Sequence, residues 1–166
     1  MPVYDPGPEI IEASSAELKK IVAWVSTTGT IAASNNIVLI GGWAVDTYNP
    51  YFGSVDIDLV AQDQARDALI GYLTTREGYR PRTHYPFDTV EKVTSHGEII
   101  LDFLPPRTPY RYEGYPEIPF SLDILTNNTV FRNVRGGAGI LVPNRSILAL
   151  LKLKAAWDRS YRILHQ

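Results

Sequence analysis

Apolar residues recur along the chain at spacings that change from segment to segment, and each spacing predicts a different element. Between Glu9 and about Ala33 they fall mostly three and four residues apart, which predicts an amphipathic helix. Ser14 or Ser15 is the expected N-cap of this helix, and Gly29 is expected to end or interrupt it. The prediction is therefore a chain that opens with a helix after a short proline-rich lead-in.

The later segments follow the same rules. They predict strands over 37–40 and 55–61, helices over 43–48 and 62–73, a hairpin of 89–94 with 98–104, short strands over 122–125, 129–134 and 140–142, and a helix over 143–164 with Asn144 as its N-cap. Residues 105–119 contain five prolines and three tyrosines, which predicts a long irregular connection. This order of elements predicts an α+β (mixed α/β) fold in which helices flank a mixed β-sheet.

Composition and charge narrow the class of protein. The 166 residues suit one domain spanning 1–166, and 45% hydrophobic with 20% charged residues is typical of a soluble globular protein. A net charge of -2 argues against a protein that coats nucleic acid, and the absence of cysteine excludes disulfides and thiolate chemistry. Without a signal peptide pattern or a run of roughly 18 apolar residues, we expect a cytoplasmic protein that does not contact a membrane.

Two aspartates carry the clearest chemical signal. Asp56 and Asp58 are two residues apart on a predicted strand, so both side chains are expected on one face. Two adjacent carboxylates repel each other unless a cation lies beside them, and hard oxygen ligands suit Mg²⁺ or Mn²⁺. Asp102, the only charged residue in the apolar strand 99–104, is the best candidate for a third carboxylate. The sequence thus predicts a divalent-metal site at Asp56, Asp58 and Asp102.

The Gly41-Gly42 pair ends one predicted strand and opens a short helix. Glycine allows the backbone to approach a ligand, and a helix N-terminus offers N–H groups to phosphate. A phosphate cradle beside a carboxylate pair indicates phosphoryl or nucleotidyl transfer, in which positioning and charge neutralisation do most of the catalysis.

Four other features have more ordinary interpretations. Trp43 is interpreted as a packing residue, and Asp46 is expected either to hydrogen-bond within the short helix or to face the substrate. The stretch 136–139 lacks the Lys-Ser/Thr of a P-loop, which favours a flexible turn. On the last helix Lys154 is expected to be solvated.

The spacing of these residues resembles a known signature. Gly41-Gly42, thirteen further residues and then Asp56-Ile57-Asp58-Leu59 are similar to the pattern of the DNA polymerase β-like nucleotidyltransferase superfamily. The segment 152–159, Lys-Leu-Lys-Ala-Ala-Trp-Asp-Arg, is similar to a helix of the AbiEii-type members, many of which are toxins of toxin–antitoxin pairs.

The resemblance implies a nucleotidyltransferase fold and a role for each matching residue. Asp56 and Asp58 would bind the metal, and Asp102 would be a catalytic base or a metal ligand. Gly41, Gly42 and Lys152 would contact the nucleotide phosphates.

The sequence departs from the AbiEii-type pattern in two places. The family often has a basic residue shortly before the first aspartate, but 51–54 is Tyr-Phe-Gly-Ser, so Ser54 or the C-terminal basic helix is expected to hold the triphosphate. Residues 143–166 carry five basic residues against one acid, a local charge of +4. AbiEii-type sequences usually continue into a further acidic helix, whereas this one stops at Gln166, which is compatible with a C-terminal truncation, a shortened homologue or a chain that needs a partner.

Three functions remain open from the sequence. The first is transfer of a nucleoside monophosphate from an NTP to RNA such as tRNA or to a protein, with an antitoxin as partner. The second is modification of an antibiotic, because the run 41–46 also resembles lincosamide and aminoglycoside nucleotidyltransferases. The third is a degenerate, non-catalytic module that binds a nucleotide or a partner protein.

Overall fold

The computed structural model describes residues 5–29, 36–50, 53–83 and 88–165. Over these residues the helices are α1 (Pro8–Thr27), α2 (Gly41–Tyr48), α3 (Asp63–Arg76) and α4 (Arg145–Leu164), with a 3-10 helix at Leu122–Leu125. The strands are β1 (Ile37–Ile40), β2 (Ile57–Ala61), β3 (Arg80–Pro81), β4 (Asp88–Thr94), β5 (Gly97–Leu104), β6 (Tyr110–Tyr112), β7 (Tyr115–Phe120), β8 (Thr129–Asn133) and β9 (Gly139–Pro143).

Seven of these strands form one mixed sheet in the order β3-β4-β5-β2-β1-β9-β8. The β2–β5 and β1–β9 pairs are parallel, and the other neighbours are antiparallel. Strands β6 and β7 pair with each other as a separate hairpin. The α+β prediction of a mixed sheet flanked by helices is confirmed.

The two faces of the sheet have different coverings. Because side chains alternate along a strand, Ile57 and Leu59 point to the face covered by α1 and α3, where Leu18 and Leu69 join the same core. The opposite face carries the even-numbered positions of β2 and β5, and we call it the carboxylate face because it holds Asp58 and Asp102. Beyond these aspartates it continues into a second apolar cluster covered by β7, the 3-10 helix and α4.

Helix α1 differs from its prediction in its first turns. It begins at Pro8 after Gly7, and both Ser14 and Ser15 lie buried inside it, so the N-cap assignment was wrong. Proline fits the first turn of a helix because its missing N–H has no partner there in any case. The helix ends at Thr27, and the predicted extension over 30–33 lies outside the described residues.

Two predictions after β5 were also wrong. The segment 105–119 was expected to be irregular, but it contains β6 and most of β7. The prolines at 116 and 119 fit there because a two-stranded hairpin has positions at which the backbone N–H is not paired. Residues 122–125, expected to be a strand, form the 3-10 helix, whose first turn is capped by Asp123 N–H donating to Ser121 Oγ at 3.2 Å.

No helix in the described part of the chain is long and apolar enough to cross a membrane.

Candidate active site

Asp58 and Asp102 lie side by side on the carboxylate face. The parallel register of β2 and β5 pairs Asp58 directly with Asp102, and the antiparallel register of β1 and β2 pairs Asp58 with Ile40. Residues that face each other across neighbouring strands have adjacent side chains. The sheet therefore brings together two carboxylates that are 44 positions apart in the sequence.

Asp56 reaches the same place by a different route. The prediction put it inside a strand, but β2 begins only at Ile57, and Asp56 lies in a bend just before it. The backbone of Ile100 on β5 lowers the pKa of the Asp56 carboxylate, and the charge of Asp102 raises it. Asp56 is thus beside β5 without being part of the paired strand.

The carboxylates interact electrostatically. Burial, followed by the charges of Asp102 and Asp56, raises the pKa of Asp58 from its usual 3.8 to about 6, while Lys152 acts in the opposite direction. Partial loss of solvent and the charge of Asp102 also raise the pKa of Asp56. Concentrated negative charge of this kind is unfavourable unless a cation compensates it.

The three aspartates match a divalent metal in donor chemistry but not in arrangement. Among the described residues, no group of three or more aspartate, glutamate, histidine or cysteine side chains is gathered closely enough to form a complete ligand set. The donor chemistry does fit, because the charges of Asp56 and Asp102 each raise the pKa of Asp58 and all three side chains offer hard oxygen ligands. Asp58 and Asp102 are therefore adjacent hard donors with the charge of Asp56 near them, but the three do not form a complete ligand set in this structure.

Gly41 is in direct contact with the site. Its φ of +72° is in the left-handed region, and a Cβ built on it would lie 2.2 Å from Asp58 Oδ2. Both the backbone conformation and the available space therefore require glycine. The close approach seen in the structure is to the Asp58 carboxylate and not to a ligand, and it places this side chain against the start of α2.

Gly42 and Ser54 form the next contact. A Cβ on Gly42 would lie 2.6 Å from Ser54 Oγ, so the half-buried Ser54 packs against the first turn of α2. Helix α2 begins at Gly41, earlier than predicted, and no side chain of the described residues caps its N-terminus. Its first N–H groups therefore point out of the helix next to Asp58 and Ser54, where an anion can accept from them.

Lys152 approaches the same region from α4. Its charge lowers the pKa of Asp58, and burial lowers the pKa of Lys152 itself despite the opposing attraction of Asp58. Lys154 was expected to be solvated, and that expectation was wrong. Its side chain is only 15% exposed, and it forms an ion pair with Asp158 while lying over the rings of Tyr112 and Phe120.

Three residues of the site had no signal in the sequence. Thr89 on β4 is paired in register with Asp102 and donates Oγ1–H to Asp102 Oδ1 at 2.6 Å. The charge of Arg82 lowers the pKa of Asp56. Arg82 thus supplies the positive charge that is missing from the segment 51–54. Arg135 forms an ion pair with Asp46. Each is far from its partner in sequence, so only the sheet pairing or the loop packing reveals it.

Asp46 anchors α2 from its buried side. It is 4% exposed, and its Oδ1 accepts from Arg135 Nη2 at 2.5 Å. The expected hydrogen bond within the short helix is therefore replaced by an ion pair with the turn between β8 and β9, and the substrate-facing alternative does not fit its burial. Trp43 is 1% exposed, which confirms it as a packing residue. The turn predicted over 136–139 lies at 135–137, and Gly139 already begins β9.

Ser14 links α1 to both parts of the site. Its hydroxyl donates to the carbonyl of Val55 at 2.6 Å and accepts from Trp43 Nε1 at 3.0 Å. Val55 precedes Asp56, and Trp43 belongs to α2, so one buried hydroxyl connects the Asp56 bend to the helix that carries the glycines.

We expect Ser14→Ala to lower the free energy of unfolding by roughly 1–3 kcal/mol, because it leaves a buried carbonyl and a buried N–H without partners. Urea unfolding measures this loss. Ser26→Ala is the matched control, since Ser26 is an exposed serine on the same helix that bonds only to Ala23 O. Equal stability of the two variants would contradict the role assigned to Ser14.

Comparisons with solved structures agree with this architecture. A protein of Thermotoga maritima that is inferred to be a nucleotidyltransferase superposes with a TM-score of 0.60 and 14% identity, over 98% of this chain and 94% of that chain. The lincosamide antibiotic adenylyltransferase LnuA, with lincomycin bound, gives a TM-score of 0.44 and 20% identity over 69% of this chain and 73% of that chain. No family model and no curated protein matches the chain. The first likeness shows that this chain has a nucleotidyltransferase fold.

Proposed function

We propose that this protein is a metal-dependent nucleotidyltransferase that transfers a nucleoside monophosphate from an NTP to an acceptor hydroxyl. The observation that carries the proposal is the pairing of Asp58 with Asp102 beside the N-terminus of α2. This N-terminus has no side-chain cap among the described residues, and its first residue, Gly41, packs directly against the Asp58 carboxylate. Carboxylates for a metal and N–H donors for phosphate thus lie next to each other, as nucleotidyl transfer requires.

Each residue of the site has a task in this reaction. Asp56, Asp58 and Asp102 would hold Mg²⁺ or Mn²⁺, which when bound neutralises the charge of the triphosphate. The first N–H groups of α2, with Ser54, would donate to phosphate oxygens, and Lys152 would contact them from α4. These groups orient the α-phosphorus towards the acceptor.

The bond changes follow from this placement. The acceptor oxygen forms a bond to the α-phosphorus, the bond from the α-phosphorus to the bridging oxygen breaks, and pyrophosphate leaves. Asp102 accepts the proton of the acceptor hydroxyl. Thr89 Oγ1–H, which donates to Asp102 Oδ1, holds that carboxylate in one orientation and leaves its other oxygen available.

Labelling with radioactive nucleotide tests the function. The protein is incubated with Mg²⁺ and each of the four NTPs, labelled either at the α- or at the γ-phosphate. We expect label to reach an acceptor from the α-labelled nucleotide only, and EDTA to prevent it. Transfer of the γ-label would instead indicate a kinase, and binding of NTP without any transfer would indicate the non-catalytic module.

The acceptor class is part of the same assay. We propose RNA such as tRNA, or a protein, because segment 152–159 resembles the AbiEii-type toxins and α4 is basic. A toxin of this kind would act with an antitoxin as partner. Parallel reactions with tRNA, with a cell protein extract, and with a lincosamide or an aminoglycoside separate this proposal from antibiotic modification. Label on the antibiotic alone would contradict the toxin assignment.

A further inference from the structure

A cavity of about 430 Å³ opens on the carboxylate face next to the aspartates. Its floor includes Ile40, which is paired in register with Asp58, and Leu104, two residues beyond Asp102 on the same face of β5. Phe120 of β7 and Leu151 and Ala155 of α4 form its walls. The volume is within the range of pockets that bind small organic ligands.

The wall formed by the β6–β7 hairpin is held firmly on α4. Trp157 Nε1 donates to the carbonyl of Glu113 at 3.1 Å, and Glu113 N–H donates to Asp158 Oδ1 at 3.0 Å. Gly114 in the turn of the hairpin lies so close to Tyr161 that a Cβ there would meet its ring at 2.2 Å. The cavity is therefore bounded by two elements that are fixed to each other.

The walls of the cavity combine apolar surface with hydrogen-bond donors that can meet the edge of a ring system. Lys154 is paired with the Asp158 carboxylate, whereas Arg111 and Arg162 each donate one N–H to a carbonyl, of Pro116 and of Asp158, out of the five that a guanidinium group has. Between them lie aliphatic side chains and the rings of Tyr110 and Phe120. A nucleobase offers the complementary combination of an apolar face for stacking and an edge with hydrogen-bonding groups.

The position of Lys152 gives the direction in which a nucleotide would lie. Lys152 on α4 interacts electrostatically with Asp58. Ala155, which lines the cavity, is three residues further along the same helix, which is less than one turn of about 5.4 Å. Ile40 at the cavity likewise immediately precedes Gly41 at the start of α2. One nucleoside triphosphate can thus reach both the phosphate-binding groups and the cavity.

We propose that this cavity binds the nucleoside of the donor NTP, with its base between the β6–β7 hairpin and α4. The inference rests on the proposed function and adds to it the subsite that selects the nucleotide.

The test fills the cavity without touching the phosphate groups. Ala155→Phe places a ring in the cavity, and Ala156→Phe is the matched control, since Ala156 is exposed on the same helix but does not line the cavity. Calorimetry with Mg²⁺ compares each NTP with inorganic tripolyphosphate, which has no nucleoside. We expect Ala155→Phe to weaken NTP binding by roughly ten- to hundredfold and to leave tripolyphosphate binding unchanged, as loss of base stacking predicts.

The outcomes separate the two proposals. Unchanged NTP binding by Ala155→Phe, or equal affinity of the native protein for NTP and tripolyphosphate, overturns the nucleoside subsite and leaves the proposed function standing. Native protein that binds neither ligand overturns the proposed function. If circular dichroism shows that Ala155→Phe does not fold, cross-linking of native protein with 8-azido-ATP decides instead: adducts on 110–122 or α4 support the subsite, and adducts elsewhere overturn it.

Discussion

Asp58→Asn is expected to abolish nucleotidyl transfer and at the same time to stabilise the metal-free protein. The charge at Asp58 is unfavourable without a cation, because burial and the neighbouring charges of Asp102 and Asp56 raise its pKa to about 6. The neutral amide keeps the shape of the side chain and removes this repulsion. We expect a gain of roughly 1–3 kcal/mol at pH 7, allowing for the partial exposure of the side chain.

The pH dependence of this gain has a definite sign. Since the pKa of Asp58 in the folded state lies above its unfolded value near 3.8, the folded protein binds more protons than the unfolded chain between about pH 4 and 6. The contribution of Asp58 to stability is complete below pH 4 and is lost as the pH rises through about 6. Asp58→Asn should therefore exceed the native protein in stability at pH 7 and approach it at pH 4.

Thermal unfolding in EDTA and in Mg²⁺ measures both effects. In EDTA at pH 7 the Tm of the variant should be higher by roughly 2–10 °C. Mg²⁺ should raise the Tm of the native protein and have little effect on the variant, because a ligand stabilises only the folded state that binds it.

Asp58→Asn removes a carboxylate that would hold the metal at the reacting phosphate. Transfer of α-label should therefore fall by about 10²–10³-fold or more. Asp67→Asn, which removes a carboxylate that is 68% exposed on α3, should change neither property appreciably. A variant that is less stable than native protein in EDTA, or that keeps its transfer activity, would contradict the role of Asp58.

Among substitutions that add one methyl group at the site, Gly41→Ala should lower the free energy of unfolding the most. The residue has φ +72°, and the new Cβ would meet Asp58 Oδ2 at 2.2 Å, so either α2 or the aspartate must move. We expect a loss of roughly 2–4 kcal/mol in the free energy of unfolding, from left-handed strain together with overpacking. Transfer of α-label should fall as well, because Asp58 and the α2 N-terminus no longer hold their relative position.

Gly71→Ala provides the control for the Gly41 substitution. Gly71 lies within α3, and a Cβ there meets nothing within 4 Å, so alanine should stabilise the protein by up to about 1 kcal/mol through its higher helix propensity. Urea unfolding of the two variants compares the same chemical change at both sites. A Gly41→Ala protein with native stability and native transfer would show that the contact with Asp58 is not needed.

Local patterns in the sequence were sufficient for many elements of the fold. The predicted strand over 37–40 is observed with the same bounds, and those over 55–61 and 143–164 are observed as a strand over 57–61 and a helix over 145–164. Asn144 accepts from Ile147 N–H at 3.0 Å, as expected of an N-cap. These features depend on residues a few positions apart, which sequence spacing describes directly.

The failures occurred where a local signal competed with distant contacts. Prolines at 116 and 119 favour irregular chain, yet the β6–β7 hairpin forms and is held on α4 by bonds such as Trp157 Nε1 to the carbonyl of Glu113. Lys154 was expected to be solvated because it lies on a basic helix, but the same hairpin places the rings of Tyr112 and Phe120 beside it. In each case tertiary packing outweighs local preference.

The candidate site divides in the same way. The chemical components are visible in the residue pattern alone: a glycine pair at the end of a strand, two nearby aspartates, and a third aspartate in an apolar strand. The pairing of Asp58 with Asp102 and the close packing of Gly41 against Asp58 become visible in the folded chain. Side-chain identity and short-range spacing are properties of a local segment. The distances between carboxylates depend on which strands pair and in which register, and that register is set by the burial of the whole sheet.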